Sequence, residues 1–156
     1  MHNKIQSSLL DQYDMKILEN LRLNGRMPIT ELSQKVGLSK TPCQVRVKRL
    51  QSEGYIIGFR AILNPEKLGL DNIAFVEVRL SDTTEAALDA FNRAVQDIPE
   101  IEQCHMIAGA FDYLLKIRTR DINAYRQTLG EKISRLPHVA GTSTHVSMEA
   151  VKDEVF

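Results

Sequence analysis

Apolar residues recur at helical spacing in the first third of the chain, and glycines interrupt the pattern three times. Spacings of three and four residues are typical of helices that pack one face against a core. Glycine directly after such a run favours the end of a helix. The pattern predicts three helices, which run from Asp11 to Leu23, from Pro28 to Gly37 and from Ser39 to Glu53. Three short helices joined by tight turns are typical of a helix-turn-helix.

The third predicted helix has one apolar face and one polar, cationic face. Cys43, Val47 and Leu50 fall within one narrow arc and are expected to face the core. On the other face, cations can neutralise phosphates, and Gln, Lys and Arg can pair with base edges in the major groove. The expected DNA-binding residues are Ser39, Lys40, Thr41, Gln44, Val45, Arg46, Lys48 and Arg49. The alternative is a solvated surface helix in which Val45 is a stray apolar residue.

An apolar segment follows the third helix and ends at the dipeptide Asn64-Pro65. Residues Tyr55–Leu63 are predicted to be extended, as a small wing and then a strand. Since Asn-Pro breaks an apolar run, the boundary between two domains is expected here. The predicted organisation is a helix-turn-helix domain over residues 1–63, a linker over 64–72 and a second domain over 73–156.

Beyond the linker, β-branched and apolar runs alternate with two helical patterns. The predicted order is strand 73–80, helix 84–98, strand 101–107, turn 108–110, strand 111–118, helix 121–136 and strand 139–148. This βαββαβ order is typical of a ferredoxin-like unit, so the chain as a whole is predicted to be α+β. Two helices cover only one sheet face, and Ala74–Val76 and Tyr113–Leu115 are apolar on both faces. We therefore expect a second subunit to cover the other face.

The formal net charge of zero conceals a division of charge along the chain. Residues 1–63 contain 10 Lys and Arg against 5 Asp and Glu, whereas residues 64–156 contain 10 against 15. The two parts therefore carry about +5 and −5. A cationic first domain favours a polyanionic partner such as DNA, and the alternative is a solvated basic face.

Several classes of protein do not fit the composition. No apolar run is long enough to span a membrane, and Met1–Leu10 lacks the apolar core of a signal peptide, so a cytoplasmic location is expected. Cys43 and Cys104 have neither disulfide-framework nor zinc-ligand spacing, and neither a metal nor a cofactor is expected. An enzyme using Cys104 and His105 is disfavoured, because neighbouring residues of a strand point to opposite faces.

A series of motifs along the whole chain resembles one known family. The N-terminal motifs are Leu10-Asp11-x-x-Asp14-x-x-Ile17-Leu18, Asn24-Gly25-Arg26, Glu31-Leu32-Ser33, Val36-Gly37-Leu38-Ser39 and Thr41-Pro42-Cys43. The C-terminal motifs are Cys104-His105-Met106, Gly109-x-x-Asp112-Tyr113-Leu114-Leu115 and Met148-Glu149. In this order they resemble the leucine-responsive regulatory protein/AsnC family of transcription regulators, and most of all its leucine-responsive branch.

The resemblance implies a regulator that binds double-stranded DNA and whose assembly or DNA binding responds to leucine or another amino acid. It also implies homodimers that commonly assemble four to a ring, as an octamer, with the effector held between sensing domains. The effector-contact residues that the resemblance implies are Met106, Gly109, Ala110, Phe111, Asp112, Ile122, His145, Val146 and Ser147. Gly109 allows backbone N–H groups to approach a carboxylate, and Asp112 is able to meet an ammonium group.

Two alternatives to the sensor remain open at this point. Asp112 can be a carboxylate that stabilises a turn and touches no ligand. An architectural DNA-binding protein that senses nothing would have the same helix-turn-helix.

Overall fold

The computed structural model describes residues 10–153 and divides them into two compact units, one ending at Ile62 and the other beginning at Leu63. Residues 1–9 and 154–156, which are the outer ends of the two predicted domains, lie outside the described residues. The expectation about a signal peptide concerns mainly that N-terminal stretch. No helix among residues 10–153 has the length and apolar character needed to cross a bilayer.

Three helices form the first unit, as predicted. They are α1 (Gln12–Leu23), α2 (Ile29–Val36) and α3 (Lys40–Ser52). Asp11 caps α1, and the left-handed Gly37, with φ 77°, ends α2. The helices bury a common apolar core made of Ile17, Leu21, Leu32, Val36, Cys43, Val47 and Leu50. The predicted inward face of α3 is thus confirmed.

The segment after α3 differs from its prediction. Tyr55–Leu63 pairs with no strand in the part of the chain that the structure describes, so the predicted strand is absent. Its one backbone link to α3 is the Ile56 N–H, which donates to the Leu50 carbonyl at 3.1 Å. Apolar, β-branched composition favours a strand only where an edge is available for pairing, and composition alone does not supply that edge.

The second unit contains a four-stranded antiparallel sheet with two helices. The elements are β1 (Asn72–Leu80), α4 (Glu85–Val95), β2 (Ile101–Met106), β3 (Tyr113–Thr119), α5 (Ile122–Glu131) and β4 (Val139–Val146). The strands lie in the order β2-β3-β1-β4, which confirms the ferredoxin-like prediction. The last helix is shorter than predicted, because α5 stops at Glu131 and a 3-10 turn, Ile133–Arg135, replaces its final part.

The two faces of this sheet have different surroundings. The face towards the helices carries the core, which includes Val76, Leu115 and Phe91, the last with its ring 4.3 Å from that of Tyr113. The opposite face, which we call the open face, carries alternate residues of each strand, and Phe75 there is 36 % exposed. Antiparallel partners point to the same side, so the pairing assigns every strand residue to one face.

Candidate DNA-binding and effector sites

The outer face of α3 presents five of the predicted DNA-binding residues to solvent. We call these residues the α3 surface: Lys40, Thr41, Gln44, Val45 and Lys48. Val45 is 62 % exposed although it is apolar, and no acidic residue lies among the five. Two cations, an amide, a hydroxyl and a branched apolar side chain on one face suit contacts to phosphates, base edges and thymine methyl groups.

The beginning of α3 also faces outward. Ser39 occupies the N-cap position, but its hydroxyl makes no capping hydrogen bond. Pro42 lies in the first turn, where its missing N–H costs nothing. The first turn of a helix presents free backbone N–H groups and a partial positive charge, both of which favour a phosphate.

Arg46 and Arg49, also predicted to bind DNA, are turned towards α1. Arg46 Nη1 lies 2.8 Å from Asp14 Oδ1 and 2.7 Å from Asp11 Oδ2, and its guanidinium stands 5.4 Å from the centre of the Tyr13 ring. Arg49 Nη2 lies 2.6 Å from Asp14 Oδ2. We call Asp11, Asp14, Arg46 and Arg49 the arginine–aspartate cluster.

Asp14 is the centre of this cluster. Its side chain is 2 % exposed, and one of its oxygens also accepts the Asp11 backbone N–H at 3.1 Å to complete the cap of α1. Burial alone raises the pKa of the Asp14 carboxyl, but hydrogen bonds from Arg49, from the Asp11 N–H and from Arg46 outweigh it and lower the pKa from 3.8 to about 2. Asp14 is therefore an ionised, buried carboxylate that joins the start of α1 to two turns of α3.

In the second unit, the connection between β2 and β3 contains four of the nine predicted effector residues. Gly109 and Ala110 are exposed there, and Phe111 is half-buried. The carboxylate of Asp112 accepts the Leu80 N–H at 2.7 Å, while the Asp112 N–H donates to the Val78 carbonyl at 2.9 Å. Asp112 thus fastens the connection to β1, which is the structural role that the sequence left open beside ligand binding.

A depression of about 270 Å³ lies beside this connection. Its lining residues are Glu77, Arg79, Ala110, Phe111, Thr142 and Ser143. Within the described residues the guanidinium of Arg79 has no carboxylate partner, and it lies 3.5 Å from where a Cβ at Gly141 would stand. The carboxylate of Glu77 is 3.3 Å from His145 Nε2. One cation, one carboxylate and an aromatic ring therefore surround a space large enough for an amino acid.

The structure divides the predicted effector residues between two sides of the sheet. His145 pairs with Phe75 and so lies on the open face, near the depression. Val146 pairs with Ala74, whose side chain is buried towards the helices, so Val146 lies on the opposite side. Met106 likewise pairs with Tyr113 on the helix side and is 56 % exposed. The nine predicted residues do not form one pocket in this chain alone.

The last two members of the predicted set flank the sheet. Ile122 is the first residue of α5 and is exposed. The backbone N–H of Ser147 donates to the Ile73 carbonyl at 2.9 Å, just beyond β4. Neither residue lines the depression.

Glu77 and Arg79 are site residues that the sequence argument did not select. They are charged residues two positions apart in a strand that is otherwise apolar, and this spacing places both on one face. Asp14 also had a sequence signal, because it follows the cap residue Asp11 by three positions, as in a capping box. Thr142 and Ser143 carry no comparable signal, because their role depends on the pairing of β4 with β1.

Cys104 and His105 point away from each other, as predicted for neighbours in a strand. Cys104 pairs with Leu115 on the helix side and His105 pairs with Leu114 on the open face. Burial raises the pKa of the Cys104 thiol, which disfavours the nucleophilic thiolate.

Two family models match the chain. Residues 10–57 match a winged helix-turn-helix DNA-binding model, and residues 73–155 match the Lrp/AsnC ligand binding domain. Together the two matches cover both structural units.

Curated relatives are similar over nearly the whole chain. The proline dehydrogenase transcriptional activator of Rhizobium radiobacter is 63 % identical over 153 residues, which are 98 % of each protein. The leucine-responsive regulatory protein of Escherichia coli K12 is 48 % identical over 143 residues, covering 92 % of this chain and 87 % of that relative.

Solved structures have the same architecture. A transcriptional regulator of Neisseria meningitidis in complex with L-Met is 32 % identical, with a TM-score of 0.86 over 92 % of this chain and 93 % of that one. AsnC of Escherichia coli is 25 % identical, with a TM-score of 0.85 over 95 % of this chain and 98 % of that one.

Proposed function

Because the chain belongs to the Lrp/AsnC family of DNA-binding transcription regulators, we propose that α3 enters the major groove of DNA. An amino acid bound by the second unit alters this DNA binding. The observation that carries the proposal is the α3 surface, whose cations, amide and Val45 are exposed together with no acidic residue among them. Lys40 and Lys48 contact phosphates, and Thr41, Gln44 and Val45 reach base edges. Ser39 and the first turn of α3 hold a phosphate.

The effector is a free amino acid that binds at the depression beside the β2–β3 connection. Its carboxylate meets the guanidinium of Arg79, its ammonium meets Glu77, and its side chain contacts Phe111. The Neisseria regulator was solved with L-Met, which supports an amino acid as the class of ligand. The other predicted effector residues, including Met106 and Val146, are reached only if a neighbouring subunit brings its own copies to the site.

A second copy of the chain covers the open face of the sheet. Phe75 and Leu114 provide apolar contacts there, and a dimer is suited to the two-fold symmetric sites that helix-turn-helix proteins read. Assembly of such dimers to an octamer is part of the proposal. The protein acts in the cytoplasm, where its DNA is, and catalyses no reaction.

The similarity to the Rhizobium radiobacter activator supports a specific target. We assign to this chain the activation of a gene for proline dehydrogenase, with proline as the first effector to test. Leucine and methionine are the next, because other relatives carry the names of a leucine-responsive regulator and of an L-Met complex.

The DNA arm is tested by selecting duplexes from a random-sequence library with the full-length protein. We expect a selected duplex to bind at least about 1,000-fold more tightly than a scrambled one. Lys48→Ala should weaken binding and leave the oligomer size unchanged, whereas Arg93→Ala, an exposed arginine of α4, should change neither. Failure to enrich any sequence, or unchanged affinity of the Lys48 variant, contradicts the α3 surface as the interface.

The effector arm is tested by melting temperature with a panel of amino acids at millimolar concentration. A ligand that binds only the native state raises the melting temperature. We expect Arg79→Met to abolish the rise and the matched Arg93→Met to retain it. If no amino acid shifts the wild-type protein, the chain is an architectural DNA-binding protein without a sensor.

A further inference from the structure

We propose that Asp14 is a positioning residue for DNA recognition, which withholds Arg46 and Arg49 from the duplex and uses them to fix the angle of α3. The inference rests on the proposed function, since it concerns which residues of α3 meet DNA. Arg46 and Arg49, which the sequence analysis predicts to contact DNA, are assigned instead to positioning α3.

The first support is the set of contacts that the guanidinium of Arg46 makes. Its guanidinium contacts Asp11 Oδ2, Asp14 Oδ1 and the ring of Tyr13, all three of which belong to the N-terminal turn of α1 or its cap. A guanidinium has donors in a fixed planar fork, and Nη1 of this one is directed at two carboxylates at once. Because Nη1 is shared between the two carboxylates, turning the guanidinium of Arg46 onto a phosphate or base edge would break these contacts.

The second support is the burial of Asp14. A carboxylate with 2 % of its side chain exposed has to keep its cations, because an unpaired buried charge is strongly unfavourable. Arg46 and Arg49 supply that compensation from successive turns of α3. If both moved to phosphates, the Asp11 N–H would be the one donor left to Asp14 within the described part of the chain.

The third support is the placement of the remaining side chains. Val47 and Leu50 bury one side of α3, and the arginine pair holds a second side against α1, so the helix is fixed on two of its faces. The face left over is the α3 surface, with Gln44, Val45 and Lys48. Specificity needs side chains held in a defined register with base edges, and a helix fixed on two sides provides it.

The test uses the salt dependence of DNA binding, because each neutralised phosphate contributes about 0.9 to the slope of log affinity against log salt. The probes are a duplex that the wild-type protein enriches from a random library and poly(dI-dC), bound by the full-length protein. Arg46→Ala and Arg49→Ala should weaken the selected duplex about tenfold and leave both slopes unchanged. The matched control is Lys48→Ala, which should make both slopes shallower by about 1.

Asp14→Asn provides the opposite change. It removes the buried charge that holds Arg49 and one of the two carboxylates that hold Arg46, so binding to poly(dI-dC) should strengthen and its slope should steepen by about 1, while affinity for the selected duplex falls about tenfold. Adding Arg49→Ala to Asp14→Asn should remove part of the extra slope. Asp14→Glu, which keeps the negative charge, should recover part of the preference for the selected duplex over poly(dI-dC) that Asp14→Asn loses.

A shallower slope for Arg46→Ala or Arg49→Ala, equal to that of Lys48→Ala, would overturn the proposal, because it would place the arginine on a phosphate. Equal losses on both duplexes with Asp14→Asn would also overturn it, since that pattern indicates a loosened fold. If Asp14→Asn does not fold, the two arginine variants decide the question alone. Failure of the proposed function looks different, because then no duplex is enriched or Lys48→Ala has no effect.

Discussion

Each unit of the molecule holds two cations of one element against carboxylates from elsewhere, yet the two arrangements differ in what is buried. In the arginine–aspartate cluster, the carboxylate of Asp14 is 2 % exposed and its arginines are about a third exposed. The second arrangement, which we call the sheet-face cluster, consists of Glu102, Lys116, Arg118 and Asp153. There the cations are 10 and 11 % exposed and the carboxylates 35 and 39 %.

The two clusters differ in whether a charged group keeps an oppositely charged partner when one partner is lost. Lys116 and Arg118 each contact both Glu102 and Asp153, so either cation keeps one carboxylate when the other is lost. Asp14 has no comparable substitute among residues 10–153, where its other donor is the N–H of Asp11. The buried Asp14 carboxylate with its two arginines therefore holds α1 and α3 together in one arrangement, and we call this contact the fixed joint. Two cations with exposed carboxylates instead form a contact in which one carboxylate can replace another.

The largest expected effect is the removal of the fixed joint. Asp14→Ala should lower the free energy of unfolding of the first unit by about 3 kcal/mol, because it removes one half of the capping box of α1 and leaves two arginines without their buried partner. The measurement is amide hydrogen exchange in α1 and α3. A loss below about 1 kcal/mol would show that the joint is no stronger than a surface ion pair.

The next effect is the acid sensitivity of the same joint. The folded pKa of Asp14 is lowered from 3.8 to about 2, so its stabilisation is fully present above 3.8 and is lost as the pH falls towards 2. The expected loss in the wild-type first unit is about 2 kcal/mol over that range. Asp14→Asn should lack this part of the pH dependence, and an identical dependence in both proteins would contradict the assignment.

The smallest effect is expected in the sheet-face cluster. Asp153→Asn should change the free energy of unfolding of the second unit by less than about 1 kcal/mol, since Lys116 and Arg118 keep Glu102. Salt at about 1 M should abolish even that difference, while the Asp14 variants keep theirs. Urea unfolding at low and high salt measures both. A loss comparable to that of Asp14→Ala would remove the distinction between the two clusters.

Much of the fold follows from sequence periodicity, because burial and helix ends are local signals. Cys43, Val47 and Leu50 are buried as their spacing predicts, and the βαββαβ order is read directly from alternating patterns. The strand predicted in Tyr55–Leu63 is absent for a reason that no local signal contains. A strand requires a partner edge, and the sequence of one segment does not show whether an edge is near.

The candidate sites show the same limit more sharply. Exposure of Gln44, Val45 and Lys48 follows from the helical arc of α3. The inward turn of Arg46 does not, because it depends on Asp14 of another helix, 32 positions earlier in the chain. In the second unit, the depression combines residues of β1, β4 and a connection, so it becomes visible only when the strand register is known.

The hydrogen bond from the Leu80 N–H to the Asp112 carboxylate connects the end of β1 to the β2–β3 connection. Leu80 lies where the register of β1 against β4 shifts, so the ladder of hydrogen bonds is interrupted there. Phe111 is the neighbour of Asp112 and lines the depression. We therefore expect an occupant that displaces Phe111 to move this irregular step of the ladder, so that a small local motion is transmitted to the edge strand β4.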